Sequence, residues 1–453
     1  MPIVAVDDTD SREQGMCTTY VATRVAERLA DAGGRVRRRL LVRLNPAVKH
    51  KTRGNAAVAL HVSGVDAERA ATVASETVAE FAAASDPRTS PGAVVADHDV
   101  DGDPFDPTGS PIPDAVARFA RRALRERLSV AEAVELAEEH GFRHAAVGSA
   151  GGAGEAGAVT GRGRIGALAA VGAPAAFDDW TFERISYREL DRCGTPREVD
   201  ERSVFTASEA HYPDAWDTVD RAEGEAVCVP NAPGPILHGI RGDDPDAVRA
   251  IAGAIESEPV ERAATFRTNQ GTDAHLRPGA VGDLRDGRAY RVDGVVASEP
   301  ATRRGGHVFF DLRPAGSDAA ERPSDDPVQP CVAFEPTKRF RDRVRHLRVG
   351  DRLTVCGEVA RGTLKLEKFA VRDLVESERV VPDCPDCGRR MESAGRDQGY
   401  RCRDCGERRD RKAERPLDRE LEAGWYEVPP CARRHVAKPL VRGGFDAPVH
   451  PER

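Results

Sequence analysis

The sequence predicts a multidomain chain of mixed α/β and α+β character: an α/β unit, a ferredoxin-like α+β unit, an OB-fold β-barrel and a zinc ribbon. Three observations predict it. The 453 residues are too many for one core and suit three or four domains. The apolar pattern shifts along the chain, from strands alternating with helical runs to five short strands separated by turns. Finally, Cys384-x₂-Cys387 and Cys402-x₂-Cys405 lie close together in sequence, each pair followed by a glycine, which is the spacing of two knuckles closing one tetrahedral zinc site.

Taken in order, Ile3 to Val6 is a short β-branched run that reads as a buried strand, and Thr19 to Leu29 reads as a helix. Between them lie Asp7-Asp8-Thr9-Asp10-Ser11 and Gly15-Met16-Cys17-Thr18-Thr19-Tyr20. Carboxylates this close repel one another unless a cation sits among them, and a hydroxyl-rich helix start offers N–H groups to a phosphate. Asp7, Asp8 and Asp10 are therefore candidate Mg²⁺ ligands, with Gly15, Met16, Cys17, Thr18 and Thr19 as the phosphate cradle. The alternative is an Asp/Ser-rich turn that caps the helix.

Val36 to Leu44 and Ala56 to Val62 read as strands flanking the cationic loop Lys51-Thr52-Arg53-Gly54-Asn55, and Asp66 to Ala84 as a helix. Ser85 to Pro113 reads as a loop excursion; Ala115–Arg127 and Val130–His140 read as helices, the second capped by Ser129. Gly161-Arg162-Gly163-Arg164-Ile165-Gly166 matches G-x-G-x-x-G but lacks the strand and spacing of a dinucleotide fingerprint. Gly161 and Gly163 mark either a phosphate contact or a place where backbone presses on backbone.

Strands are expected at 180–188, 197–207, 226–229, 237–240 and 263–268, with a helix at 245–256. They end in the polar run Thr268-Asn269-Gln270-Gly271-Thr272-Asp273-Ala274-His275, either a site or a plain loop. The five barrel strands are 288–297, 306–312, 328–334, 352–359 and 363–371, with Lys338 to Arg348 as a basic helical insertion. These patterns divide the chain at 1–175, 176–280, 285–375, 380–410 and 411–453, the last segment having no assignable role.

No stretch approaches the roughly 20 apolar residues of a membrane span, and no secretory leader opens the chain. Four of the ten cysteines cluster and six are scattered, which favours a reducing, cytoplasmic setting. The net charge of −8 argues against a nucleic-acid partner, but its distribution argues for one. No acidic residue occurs from Ala32 to Val65, a stretch that holds Arg37 and Arg39, and Lys338, Arg341 and Arg345 belong to a second basic run.

Together the aspartate loop, the Gly15–Tyr20 turn, the Lys51–Asn55 loop, the Gly161–Ala170 run, the Thr268–His275 run and the Cys₄ site resemble one family, the archaeal TiaS enzymes that make 2-agmatinylcytidine in isoleucine tRNA. The likeness runs from residue 3 to about residue 410. It implies a kinase-like first domain and an ATP- and Mg²⁺-dependent C–N ligase that attaches agmatine to the wobble cytidine of the CAU-anticodon tRNA. ATP ends as AMP and phosphate, and the tRNA then reads AUA. Thr18 is, by resemblance, a threonine that takes up phosphate; Lys51 and Arg53 would neutralise phosphate; Asn269, Asp273 and His275 would contact agmatine or line the site, Asp273 being a candidate for its guanidinium. Two rival classes are a non-catalytic tRNA binder, against which the clustered aspartates speak, and another Mg²⁺-dependent phosphotransferase, which leaves the basic patches unexplained.

Overall fold

The structure, a computed structural model, describes residues 1–13, 15–48, 55–97, 112–147, 161–316 and 327–453. Lys51 and Arg53 lie outside the described residues. The first half of the chain builds one nine-stranded sheet in the order β5-β4-β1-β3-β2-β9-β6-β8-β7. Its members are β1 (Ile3–Asp7), β2 (Arg35–Arg43), β3 (Ala56–Ser63), β4 (Gly92–Ala96), β5 (Arg143–Ala146), β6 (Thr181–Tyr187), β7 (Ala215–Trp216), β8 (Ile236–Gly242) and β9 (Arg262–Thr268).

Pairing is antiparallel except between β2 and β9, where Leu40 and Leu41 meet Arg267 and Thr268 in parallel. Hydrogen bonding thus runs on across residue 176, where composition suggests a division. On one face, α1 (Thr18–Asp31) and α2 (Ala67–Phe81) bury Val21, Val25, Leu29, Val73 and Val78 against Val4, Val6, Leu41 and Phe266. On the other, α3 (Asp114–Ala123), α4 (Val130–Glu139) and α5 (Gly163–Gly172) cover Ile3, Ala5, Leu40 and Val94. Farther along, α6 (Glu201–Ala210) and α7 (Pro245–Ala254) pack Val204, Val248 and Ile251 on Ile240.

Three local expectations are corrected. Most of 197–207, from Glu201 on, is helical where a strand is expected, because Asp200 caps α6 through the Arg202 N–H and Val204 and Ala207 then share a buried face. No strand forms at 226–229, which is turn. The excursion from Ser85 contains β4, a wholly buried strand paired with both β1 and β5.

The second half closes a five-stranded barrel. After β10 (Leu276–Gly279), β11 (Arg288–Val296) pairs with β13 (Val308–Pro314) and β15 (Arg352–Ala360); β14 (Gln329–Ala333) joins β13 to β16 (Thr363–Asp373), and β16 returns to β15. The short β12 (Ala301–Thr302) pairs only with β13, and α8 (Phe340–Arg345) sits between the third and fourth barrel strands, inserting Phe340 and Val344 into the core. This closed circuit is the OB arrangement, which leaves no open edge.

The zinc-ribbon segment is spliced between β16 and the strand Gly424–Glu427, which pair with each other in the barrel sheet. The segment after it has a structural role that its composition does not announce. It is a strap back to the first half: Arg433 bonds Asp217 at 2.8 Å and also Glu427, Arg442 bonds Asp179 at 2.9 Å and Asp243 at 2.8 Å, and the Lys438 N–H donates to Asp273 at 2.7 Å.

Candidate active site

β1 delivers its last residue, Asp7, to a cavity of about 440 Å³ between the two parts of the large sheet. Asp8 follows with φ +60, left-handed backbone that a non-glycine residue adopts only when its surroundings hold it there. The surroundings are visible. Ser11 Oγ donates to Asp86 Oδ2 at 2.6 Å, Thr89 Oγ1 donates to the Asp10 carbonyl at 2.7 Å, and Arg162 Nη2 donates to Asp8 Oδ2 at 2.5 Å. Asp86 is itself buried; against that cost, hydrogen bonds from Arg88 and Ser11 pull its carboxyl down to about 2, so it is a firm anchor.

Asp7, Asp8, Asp10, Met16, Cys17, Thr18 and Thr19 all line the cavity. Burial, then the neighbouring Asp8, holds the Asp7 carboxyl well above its ordinary range. Burial also pushes Asp8 up to about 6, with Arg162 opposing it. Acids raised in this way are what a dry cluster of like charges produces, and what a bound cation relieves.

The helix that faces them is open. No side chain caps α1, whose N-cap is Cys17, so none of the aspartates is spent on that duty and the first N–H groups stay available. Thr18 Oγ1 accepts from Thr9 Oγ1 at 3.1 Å rather than capping, and Cys17 Sγ lies 3.0 Å from Thr19 Oγ1. Gly15, Gly161 and Gly163 do not line the cavity. Gly163 and its neighbour Gly166 serve close approach: a Cβ would stand 2.4 Å from the Asp7 carbonyl oxygen at Gly163 and 1.9 Å from Asp7 Oδ2 at Gly166. The start of α5 is pressed onto the end of β1: backbone meets backbone at Gly163, and at Gly166 the helix makes room for the Asp7 carboxylate.

Across the cavity lies a second charged group, assembled from strands far apart in sequence. Glu183 of β6 bonds Arg43 of β2 at 3.2 Å and Arg241 of β8 at 3.4 Å, and Arg197, Glu126 and His435 complete the lining. Sequence reasoning missed Glu183, Arg241 and His435. The basic run before Lys49 contains Arg43 but gave no sign of its role.

Asn269, Asp273 and His275, expected to contact agmatine or line the site, are not among the lining residues. They form a joint one layer behind it. Asn269 accepts from the Arg43 N–H at 2.8 Å and donates to the Arg43 carbonyl at 3.1 Å, while Gln270 accepts from Arg43 Nε at 2.7 Å. His275 Nε2 lies 3.2 Å from the Leu44 carbonyl, and burial lowers this imidazole to about 4. Asp273 takes the buried Lys368 ammonium at 2.9 Å, tying the barrel to the sheet.

Of the expected RNA contacts, Arg37 is exposed, with Nε 2.9 Å from Ser63 Oγ, whereas Arg39 is half-buried and burial lowers its guanidinium. Lys338 pairs with Glu223, Arg341 with the Gly306 carbonyl and Glu335, and Arg345 with Asp342 and Thr302. That second basic run is therefore engaged within the molecule.

Far from the cavity, the Sγ atoms of Cys384, Cys387, Cys402 and Cys405 all lie within 4.8 Å of one another. Thiolates around zinc at about 2.3 Å stand roughly 3.8 Å apart, so the four fit a closed tetrahedral site. Among the described residues no helix is long and apolar enough to cross a membrane.

A carboxylate-lined cavity facing an open helix start, joined to an OB barrel and a Cys₄ ribbon, defines a class: a multidomain protein that pairs a candidate phosphate site with two modules widely used on nucleic acids. The comparisons give the particular family. Models of the TiaS TCKD domain, the TiaS FLD domain and the TiaS C-terminal zinc ribbon domain match residues 3–71, 161–275 and 381–421. An isoleucine-tRNA 2-agmatinylcytidine synthetase TiaS from Haloquadratum walsbyi is 52% identical, with 100% of both chains covered. One from Archaeoglobus fulgidus is 40% identical over 97% of each.

Among solved structures, a complex of TiaS with its isoleucine tRNA and ATP matches with TM-score 0.84 and 38% identity, covering 100% of this chain and 99% of that one. A complex of TiaS with the same tRNA, AMPCPP and agmatine matches with TM-score 0.81 and 36% identity at the same coverage. The chain belongs to the TiaS family.

Proposed function

We infer that this chain catalyses the reaction for which its relatives are named: ATP-dependent attachment of agmatine to the wobble cytidine of the CAU-anticodon isoleucine tRNA, giving 2-agmatinylcytidine. The 2-oxo carbon of cytosine is a poor electrophile because its oxygen will not leave. Transfer of a phosphoryl group from ATP to that oxygen makes it a leaving group. The agmatine amine then attacks C2, the C2–O bond breaks, phosphate departs with the oxygen, and the amine loses a proton. ATP ends as AMP and two phosphates, one leaving with the cytosine oxygen and the other released when water cleaves the second phosphoanhydride bond.

In this reading Asp7, Asp8 and Asp10 hold Mg²⁺, supported by their shared cavity and the raised Asp7 and Asp8 carboxyls. When bound, the metal supplies charge neutralisation for the transferring phosphoryl group. The uncapped start of α1, from Cys17 to Thr19, donates N–H groups to the phosphates, and Thr18, which lines the same cavity, takes up phosphate in passing. Lys51 and Arg53 are further phosphate neutralisers.

Residues 1–175 carry this chemistry, and 176–280 together with His435 complete the cavity. The barrel (285–375), the zinc-bearing ribbon (380–410) and exposed Arg37 grip the tRNA, and residues 411–453 strap the parts together. A reaction on tRNA fed by ATP sits in the cytoplasm. The observation that carries the proposal is the convergence of Asp7, Asp8 and Asp10 with the open start of α1 on one cavity.

The experiment is incubation with labelled ATP, Mg²⁺, labelled agmatine and the CAU-anticodon tRNA transcript. Agmatine label in RNA with stoichiometric AMP is expected. ATP turnover indifferent to RNA would point to the rival phosphotransferase instead.

A further inference from the structure

We propose that Arg162 is an exchange ligand: it neutralises Asp8 while the site is empty, then cedes that carboxylate to the divalent cation and takes the triphosphate in its place. The inference rests on the Mg²⁺ reading above and adds a residue that neither the family resemblance nor the motif reading singled out.

The guanidinium is built to do both jobs. Its backbone is fixed just ahead of α5, with the Arg162 N–H donating to Ser90 Oγ at 3.1 Å and the helix start wedged against Asp7. One side-chain nitrogen, Nη2, carries both of its side-chain hydrogen bonds, to Asp8 Oδ2 at 2.5 Å and to the Arg88 carbonyl at 2.6 Å. Nε and Nη1 have no acceptor among the described residues, and the side chain lines the cavity. A planar fork with one nitrogen engaged, on a side chain that lines a cavity, is suited to a phosphate.

Electrostatics demand the exchange. Asp7, Asp8 and Asp10 bring three formal negative charges to the cavity wall, and Arg162 is ion-paired to the second of them. A divalent cation held by these carboxylates would compete with the guanidinium already paired to Asp8, so Arg162 would oppose binding of the metal alone. The nucleotide reverses the balance, because its phosphates offer the displaced guanidinium a stronger partner than the one it left. Arg162 thus discriminates against bare metal and in favour of the metal–nucleotide complex.

The test uses full-length protein and has no catalytic readout. Mn²⁺ binding is followed by electron paramagnetic resonance, first without nucleotide and then as the complex with a non-hydrolysable ATP analogue, in wild type, Arg162→Gln, Arg162→Lys and Asp8→Asn. Arg162→Gln is expected to bind bare Mn²⁺ severalfold more tightly and the Mn²⁺–nucleotide about tenfold more weakly, the loss of one charge-assisted contact. Arg162→Lys should restore part of the nucleotide affinity and show no gain for the bare metal.

Two affinities that fall together would make Arg162 a structural brace, and two that stay unchanged would make it a bystander; either result overturns the proposal. Wild type that binds Mn²⁺ no better than Asp8→Asn would overturn the metal reading itself, and that outcome is separate from an unresponsive Arg162→Gln.

Discussion

Two polar runs follow strands in this molecule, and they have opposite fates. The aspartate loop after β1 opens on a cavity with its acids held above their ordinary range. The Thr268–His275 run after β9 is just as polar, yet most of its side chains are matched: Asn269 and Gln270 to Arg43, Thr272 Oγ1 to the Asn269 carbonyl at 2.7 Å, Asp273 to Lys368, His275 Nε2 to Leu44, with His275 Nδ1 left unpartnered. The difference teaches that polarity after a strand marks a place where the backbone needs organising. Excess charge of one sign, facing a cavity, marks a place that takes a ligand.

The largest effect that would break this contrast belongs to Asp8→Asn. It should lower agmatine incorporation into tRNA by about a thousandfold or more, as removal of a metal ligand does, while the melting temperature holds or rises. Near-normal incorporation would count against the assignment. Asp273→Ala should do the reverse. It leaves the buried Lys368 ammonium without its carboxylate, costing about 2 kcal/mol after allowing for the half-exposed Asp273 side chain. Thermal unfolding should begin several degrees lower, with incorporation at low temperature within a few-fold of wild type; selective loss of activity would move Asp273 back into the site.

A smaller effect separates the runs by pH. Because Asp8 in the fold titrates near 6, above its unfolded value, the folded chain holds extra protons between about pH 4 and 6. The stability this gives is full below that window and lost as pH rises through it. Mg²⁺ relieves the resulting repulsion, so it should raise the melting temperature by about 5 °C at pH 7.5 and clearly less at pH 5. Equal shifts at both values would separate the metal from the aspartates.

The smallest effect concerns RNA. Arg37→Ala should weaken tRNA binding about threefold and reduce the salt slope by about one, while Arg341→Ala, whose guanidinium is already engaged inside the barrel unit, should stay within about twofold. Filter-binding titrations at several salt concentrations check both.

The parts read correctly from sequence are those where one physical requirement dominates over a few adjacent residues. Barrel strands announce themselves by alternation and the ribbon by its cysteine spacing; clustered charge next to an apolar strand singles out the aspartate loop, whose Asp7, Asp8 and Asp10 line the cavity. Competing signals defeated the reading elsewhere. Val199, Val204 and Phe205 suggested a strand, but the Asp200 cap and the 3-residue spacing of Val204 and Ala207 made a helix. Gly92 to Ala96 was hidden among prolines and aspartates, although it is buried in mid-sheet. Arg43, Glu183 and Arg241 become neighbours only through the order β2-β9-β6-β8, and His435 only through the strap, so no local pattern could bring them together.

The measurement that bears most directly on the central claim is anomalous diffraction from crystals of this protein grown with Mn²⁺ and a non-hydrolysable ATP analogue. The account predicts a single strong peak in the cavity at roughly 2.2 Å from carboxylate oxygens of Asp7, Asp8 or Asp10, with analogue phosphates over the start of α1. Nucleotide bound in the cavity with no metal peak beside those three side chains would contradict it.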